Sequence, residues 1–486
     1  MSAAEDMGGA DAAKLPYRFA REFGLALSQT EKGVTLHIGS AANRQMIAEV
    51  ARSHDIAEVE EVSQERFDDL LSELYARRSF EEDSEQADAE RLDDDFDAIV
   101  QGVEHSADLL AGDDDAPVIR LLNSLLSEAV RSGASDVHLE PFENNVVVRL
   151  RVDGMLKEIA SLSPKLAPYL VSRIKVMSRL DIAEKRLPQD GRLSLTLGGK
   201  VFDVRVSTLP IRYGERVVMR LLDKDNAFFG LADLGMAAEM QTQFEAALAE
   251  PNGIILVTGP TGSGKTTTLY SALSLMNDIS RNIMTVEDPV EYALHGISQT
   301  QVNPKIGMTF ADGLRSILRQ DPDTVMVGEI RDKETAEIAV QASLTGHVVL
   351  STVHTNSAAA AVTRLMDMGI EPLLLSSSLR LVLAQRLVRR LCPDCKAPDD
   401  SDNENSHKPV GCPSCQNIGY RGRIGIFELL SVDDTVRQMI ADGATEQQIE
   451  AHAFVDNALL ASSGRALVAA GETTTAEVLR VARLSE

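Results

Sequence analysis

The sequence predicts a multidomain α/β protein: an α+β N-terminal half, a parallel α/β core, and a short tetracysteine insert near the C-terminus. Three observations carry that prediction. From about residue 226, four apolar runs at 254–258, 283–287, 324–328 and 347–353 are separated by helical stretches, the pattern of a parallel sheet covered on both faces. Before it, the segments 145–151, 193–197, 202–207 and 216–222 alternate apolar and polar residues, as half-buried strands do. All four cysteines fall between 392 and 415.

A chain of 486 residues is too long for one hydrophobic core, so several domains are expected. The reading is an N-terminal domain (1–80), a linker (81–115), an α+β domain (116–225), a parallel core (226–390), a tetracysteine segment (391–430) and a helical end (431–486). The second domain opens on a marked helix. Asp115 is placed to cap it, Pro117 sits in its first turn and Gly133 ends it. Val118, Leu121, Leu122, Leu125, Leu126 and Val130 give it one apolar face. The helical end is read as helices at 435–443, 449–464 and 475–484.

Apolar content of 44% with only 4% aromatic residues is ordinary for a helix-rich α/β protein. No apolar run approaches the ~20 residues of a membrane span. The first residues, MSAAEDMGGADAAK, lack the basic and apolar regions of a signal peptide. A cytoplasmic location is expected, with any membrane contact made through partners. The net charge of −26 argues against a general nucleic-acid binder. Residues 81–115 contribute −14 of it (fifteen acids, one Arg), and read as a solvated linker with a short helix near 96–103.

Residues 259–266 read GPTGSGKT. Gly259, Gly262 and Gly264 let backbone N–H groups turn toward phosphate oxygens, with Pro260, Thr261 and Ser263 between them. Lys265 supplies a cation for the β- and γ-phosphates of ATP, and the Thr266 hydroxyl suits Mg²⁺. The strand GIILVT precedes the loop, and a helix beginning with Thr267 follows it, bringing a helix N-terminus to the anion.

Hydrolysis also needs a group to activate water and carboxylates near the metal. TVEDPVEY supplies Glu287 and Glu291 just past one strand, and TVMVGEIRD supplies Glu329 past another. Either Glu287 or Glu291 is a candidate base. Where many phosphate-loop enzymes place an Asp, this chain has Gly328, with Glu329 next. His347 and His354 mark opposite ends of the fourth strand, so one of them is a candidate γ-phosphate sensor. Cys392, Cys395, Cys412 and Cys415 form CPDC and CPSC pairs around a 16-residue polar spacer. Two such knuckles present four thiolates to one structural Zn²⁺; a redox pair is the alternative. The basic run Arg386, Arg389 and Arg390 reads as a solvated or interface helix face.

In this order, GPTGSGKT, TVEDPVEY, GEIRD and TGHVVLSTVHTN resemble the Walker A, Asp, Walker B and His boxes of the secretion ATPases of bacterial type II secretion and type IV pilus systems. SDVHLEP at 135–141, LPQDGR at 187–192 and GYRGRIGIFELL at 419–430 extend the resemblance beyond the core. It implies a RecA-like ATPase core and a PAS-like second domain within a homohexameric ring. In such a ring Arg205 and Arg220 of the second domain reach the phosphates, and Arg315 and Arg319 lie at a subunit or domain contact. LPYRFARE and LLSELYARR resemble the type II secretion branch. There the N-terminal domain docks on the cytoplasmic part of platform protein L, with platform protein F as a second partner, at the inner membrane. A pilus-extension ATPase is the close alternative. A non-catalytic ATP-binding scaffold and a nucleic-acid motor are further ones, opposed by intact Lys265 and Glu329 and by the charge.

Overall fold

The computed structural model describes residues 15, 20, 23–30, 33–39, 42, 44–53, 56–63, 66–67 and 70, then 116–197, 200–223, 230–399, 406–454 and 459–482. The acidic linker, its expected helix at 96–103, the cap at Asp115 and most of LLSELYARR lie outside these residues. Two compact units divide the chain, Met1–Asp225 and Asn226–Glu486.

In the first unit, β1 (Leu25–Thr30) and β2 (Gly33–Ile38) run antiparallel, and β3 (Ile56–Glu61) joins β2 in parallel. A helix, α1 (Arg44–Ser53), precedes β3. Leu25, Leu27, Leu36, Val50 and Phe67 form a small core here.

A second sheet in this unit has the order β6-β5-β4-β9-β8-β7 and is antiparallel throughout. Its strands are β4 (Ala134–Pro141), β5 (Val146–Val152), β6 (Met155–Leu162), β7 (Gln189–Leu197), β8 (Lys200–Ile211) and β9 (Gly214–Asp223). Alternation sends Val137, Leu139, Val148, Leu150, Val204, Val217 and Met219 to one face. That face is covered by α2 (Ala116–Arg131), through Leu121, Leu122, Leu125 and Leu126, and by α3 (Ala167–Met177). Each fully buried Leu stabilises the packing by about 1.5–3 kcal/mol. The other face is polar. β4, which carries SDVHLEP, and β6 are strands beyond those expected from sequence.

The second unit is built on a seven-stranded sheet of order β12-β11-β13-β14-β10-β15-β18. Its strands are β10 (Gly253–Thr258), β11 (Ile283–Glu287), β12 (Ser298–Gln301), β13 (Thr324–Val327), β14 (Val348–Val353), β15 (Leu379–Leu391) and β18 (Tyr420–Ser431). All pairings are parallel except β15 with β18. A short antiparallel pair, β16 (Ala397–Pro398) and β17 (His407–Lys408), lies in the chain between those two. The helices of the core are α4 (Ala238–Leu248), α5 (Lys265–Met276), α6 (Phe310–Ile317), α7 (Lys333–Leu344), α8 (Ala358–Asp367) and α9 (Pro372–Ser378). They cover both faces of the sheet, which is why every residue of GIILVT is buried. Ile254 and Leu256 face one core, Ile255 and Val257 the other.

The four strands legible in the sequence form the middle of this sheet; the other three extend it. β15 carries Arg386, Arg389 and Arg390, so that basic run lies on a strand and not on the expected helix face. Arg386 is buried, Arg389 pairs with Glu477 and Arg390 with Glu472. The strand reads LRLVLAQRLVRRL and is apolar apart from residues that find partners inside the fold.

Four helices close the chain: α10 (Asp434–Ala441), α11 (Glu446–Ala453), α12 (Leu460–Ala469) and α13 (Thr475–Val481). The stretch 449–464, expected as one helix, thus belongs to two. Val436, Ile440, Ile449, Val468 and Val478 share the hydrophobic cluster on one side of the large sheet. One buried carboxylate ties these parts together. Glu428 accepts the N–H of Ala358, which opens α8, at 2.8 Å, and that of Leu460 at 3.5 Å.

Candidate functional site

The loop 259–266 joins the carboxyl end of β10 to the start of α5. Gly262 and Gly264 adopt φ of +78° and +87°, which L side chains rarely tolerate. A Cβ on Gly264 would also lie 2.8 Å from Gln385 Nε2, and one on Gly259 would lie 2.5 Å from Gln385 O. The loop therefore rests on β15 beneath it, where Thr268 also donates to Gln385 Oε1 at 2.7 Å.

Lys265 lies along the loop, its Nζ donating to Gly259 O at 2.9 Å and Pro260 O at 3.1 Å. Burial brings its pKa down to about 8; Glu329 opposes the shift and Arg386 adds to it. Ser263 Oγ is buried without a hydrogen-bond partner, inside the loop that would enclose phosphate. Pro260, Thr261 and Thr266 are exposed, and Thr267 is half-buried. An exposed Thr266 hydroxyl in the first helical turn fits a magnesium ligand.

The acids converge on the same sheet edge, at the carboxyl ends of β11 and β13. Their surroundings differ. Glu287 is 2% exposed and its oxygens are engaged: Thr285 Oγ1 donates to it at 2.5 Å, Gln299 Nε2 at 3.1 Å, and the Tyr270 hydroxyl donates as well. Burial raises its pKa against those three hydrogen bonds. Glu291 is half-buried and lies in the loop beyond. Glu329 pairs with Arg331 and with His354 Nε2, the latter at 3.2 Å.

The two histidines are placed very differently. His354 borders Glu329. His347 lies at the amino end of the sheet, where its carbonyl accepts the Gly253 N–H at 3.1 Å and its Nδ1 donates to Ala342 O at 2.9 Å. From Gly253 to Thr258, at the edge of the phosphate loop, is five steps of about 3.3 Å, or roughly 16 Å. His347 is thus not a nucleotide ligand within its own unit; the strand length separates it from the loop.

Arg205 and Arg220 belong to the first unit, on the polar face of the antiparallel sheet. Cross-strand register aligns Arg192, Arg205, Arg220, Asp136 and Arg151 in one row. Arg220 Nε donates to Asp136 Oδ1 at 2.9 Å while its side chain stays 58% exposed. In the second unit, Arg315 pairs with Glu334 at 2.6 Å, and Arg319 Nη1 donates to Arg315 O at 2.9 Å.

The four cysteines gather from two chain turns, and their Sγ atoms all lie within 4.8 Å of one another. Cys392–Cys412 and Cys395–Cys415 are 3.8 Å apart, and Cys412–Cys415 3.7 Å. Four sulfurs at about 2.3 Å from one tetrahedral ion sit about 3.8 Å apart, so the spacing fits a metal. The N–H groups of Cys412 and Gly419 donate to Cys415 Sγ, each at 3.2 Å. Burial opposes ionisation there, but those N–H groups prevail and bring the thiol down to about 6.

Sequence reasoning did not reach Tyr270, Gln299 or Gln385, and it read Arg386 only within a basic helix face. Gln385 and Arg386 lie in a strand that mixes polar and apolar residues; Tyr270 and Gln299 had no signal, since their partners are distant in sequence.

Comparison with known proteins agrees with this geometry. Residues 111–480 match the family model for type II/IV secretion system proteins, and residues 14–75 match the model for an N-terminal domain of GSPII protein E. A type II secretion system protein E of Aeromonas hydrophila is 52% identical over 97% of this chain and 96% of its own length. A type II secretion system ATPase E of Vibrio cholerae is 50% identical over 97% of each. Among solved structures, the pilus retraction motor PilT with bound ADP matches at 26% identity and TM-score 0.54, covering 75% of this chain and 97% of that one. The Legionella pneumophila ATPase DotB matches in fold, at 21% identity and TM-score 0.58, covering 74% and 94%. The chain belongs to the type II/IV secretion system protein family, in its type II secretion ATPase E branch, and is an ATP hydrolase with a RecA-like core.

Proposed function

We propose that this ATPase works as a homohexamer on the cytoplasmic face of the inner membrane and powers type II secretion of folded proteins. The observation that carries the reading is the meeting of Lys265, Glu329 and the loop of Glu291 at one edge of the parallel sheet. In this reading Lys265 leaves the loop carbonyls for the β- and γ-phosphates, and the N–H groups of 262–267 surround the oxygens. Thr266 and Glu329 hold magnesium, with His354 and Arg331 orienting Glu329. Magnesium, when bound, neutralises charge developing on the transferred phosphoryl group. Glu291 takes the proton of the attacking water, because Glu287 is buried with its oxygens occupied. Arg205 and Arg220 arrive from a second domain to stabilise the transition state as the ring closes. Cys392, Cys395, Cys412 and Cys415 hold a structural zinc.

The domain reading goes with this mechanism: docking through 1–80 on platform protein L, with platform protein F as a second partner, an acidic tether at 81–115, and the zinc segment and helical end flanking the core. No helix among the described residues is long and apolar enough to cross a membrane, so membrane attachment is assigned to partners. Pilus extension is the competing task. The match of residues 14–75 to an N-terminal domain of GSPII protein E favours secretion.

The test measures ATP turnover of the full chain with and without the platform protein's cytoplasmic domain, beside Lys265→Ala. Stimulation by that domain is expected, with turnover in Lys265→Ala reduced by two orders of magnitude or more. Binding only to a pilus scaffold would move the assignment to pilus assembly.

A further inference from the structure

A buried carboxylate costs several kcal/mol unless it is fully hydrogen-bonded, and an apolar pair of similar shape would pack as well. Glu287 is such a group, and its partners come from three segments. Thr285 lies in its own strand, Tyr270 on the helix that begins at Lys265, and Gln299 on β12 at the sheet edge. Tyr270 and Gln299 also hold the loop that follows Glu287. The Tyr270 hydroxyl gives its proton to Glu287 and accepts the Glu291 N–H at 3.3 Å. Gln299 donates to that hydroxyl at 3.3 Å and to Tyr292 O at 3.1 Å, and its Oε1 accepts the Leu294 N–H at 2.7 Å. The rings of Tyr270 and Tyr292 meet edge to face with centroids 4.6 Å apart.

The Tyr270 hydroxyl therefore has one donor and two acceptor contacts, its full capacity. One of them, from the Glu291 N–H, ties that backbone to α5, and the other two, to Glu287 and from Gln299, anchor the hydroxyl. Tyr270 is five residues beyond Lys265 on one continuous helix, so a shift of the phosphate loop is passed to the acid-bearing loop as a rigid motion. Misplacing a reacting group by about 1 Å costs on the order of 10² in rate.

We infer that Glu287 is a positioning residue: through the Tyr270 hydroxyl and Gln299 it fixes the backbone that carries Glu291 and links that acid to the phosphate-loop helix. This rests on the reading of Glu291 as the water-activating base. Glu287 takes no proton from water in this scheme; it orients the group that does.

The experiment uses the assembled full-length enzyme and measures kcat, ATP KM, ADP affinity and melting temperature for Glu291→Gln, Tyr270→Phe, Glu287→Gln and Gln299→Ala. Glu291→Gln is expected to lose about 10²–10⁴ in kcat, as loss of a general base does. Tyr270→Phe keeps the ring and its packing, and is expected to lower kcat about tenfold with ATP KM and ADP affinity within about twofold. Glu287→Gln keeps an acceptor for Thr285 and Gln299, and is expected to lose only about fivefold. Where Tyr270→Phe fails to fold, Gln299→Ala tests the same loop from the half-buried edge strand, with the same loss in kcat at constant KM.

Glu287→Gln as inactive as Glu291→Gln would make Glu287 itself the acid–base group and overturn the inference. An active Glu291→Gln removes the base assignment and the inference with it. An inactive Glu291→Gln beside Tyr270→Phe or Gln299→Ala at the wild-type rate removes the positioning role alone.

Discussion

The phosphate loop and the arginine row are both surfaces suited to anions, and they are built in opposite ways. The loop is eight consecutive residues whose donors are backbone N–H groups, aimed by the conformations that Gly262 and Gly264 allow. The row is assembled from side chains of five strands, placed side by side by the register of β7, β8, β9, β4 and β5. Directly opposed like charges in a sheet are destabilising, so Arg192, Arg205 and Arg220 in line are a cost to the fold. Asp136 offsets part of it by holding Arg220 through Nε. The loop carries no comparable penalty.

The largest test of that contrast is Arg220→Ala or Arg205→Ala in the assembled enzyme. Each is expected to lower kcat by about 10²-fold, with smaller change in ADP affinity, in steady-state and binding measurements. Wild-type turnover in both would leave the row a salt-bridged sheet face. A middle-sized effect is expected at the cysteines, whose four sulfurs also depend on two distant turns meeting. Cys412→Ser should reduce bound zinc from about one per chain toward none and lower the unfolding midpoint by about 5 °C, read by metal analysis and thermal melts. A wild-type chain purified with no bound metal would return the pairs to a redox reading.

The smallest effect concerns an ion cluster that serves the fold. Burial would raise the Glu477 carboxyl, but Arg389 at 2.6 Å and Arg480 at 2.9 Å prevail and hold it down to about 2. A carboxyl depressed in the folded state stabilises above its unfolded pKa of about 4.5, and that contribution fades as pH falls toward 2. Glu477→Gln should therefore lower the melting temperature at pH 6 and lose that difference near pH 2. An equal difference at both pH values would mean that packing, not charge, is what the substitution removes.

Much of the site was legible because its chemistry is local. GPTGSGKT needs only its own backbone and the elements beside it, so strand, loop and helix were read together. The CPDC and CPSC pairs were legible for the same reason: each knuckle spans four residues. The four central strands of the large sheet were readable from their continuous apolar runs. β15 and β18 were not, since LRLVLAQRLVRRL mixes five polar residues into its length and their partners are far away. The two histidines, already placed at opposite ends of one strand from sequence, needed the fold only to show which end meets Glu329. Both belong to TGHVVLSTVHTN, and only the direction and length of β14 separate His354, beside Glu329, from His347 at the far edge.

Residue spacing alone determined that this protein binds a nucleotide, carries a four-cysteine cluster and belongs among α/β ATPases, because each of those depends on short stretches of chain. Tertiary structure decided how the two acids of TVEDPVEY differ. Glu287 and Glu291 are four residues apart and chemically alike. Tyr270, Thr285 and Gln299, contributed by a helix and two strands, surround and bury the Glu287 carboxylate, whereas Glu291 lies half-buried in the loop beyond. That distinction is a matter of solvent and partners, which only the folded chain supplies.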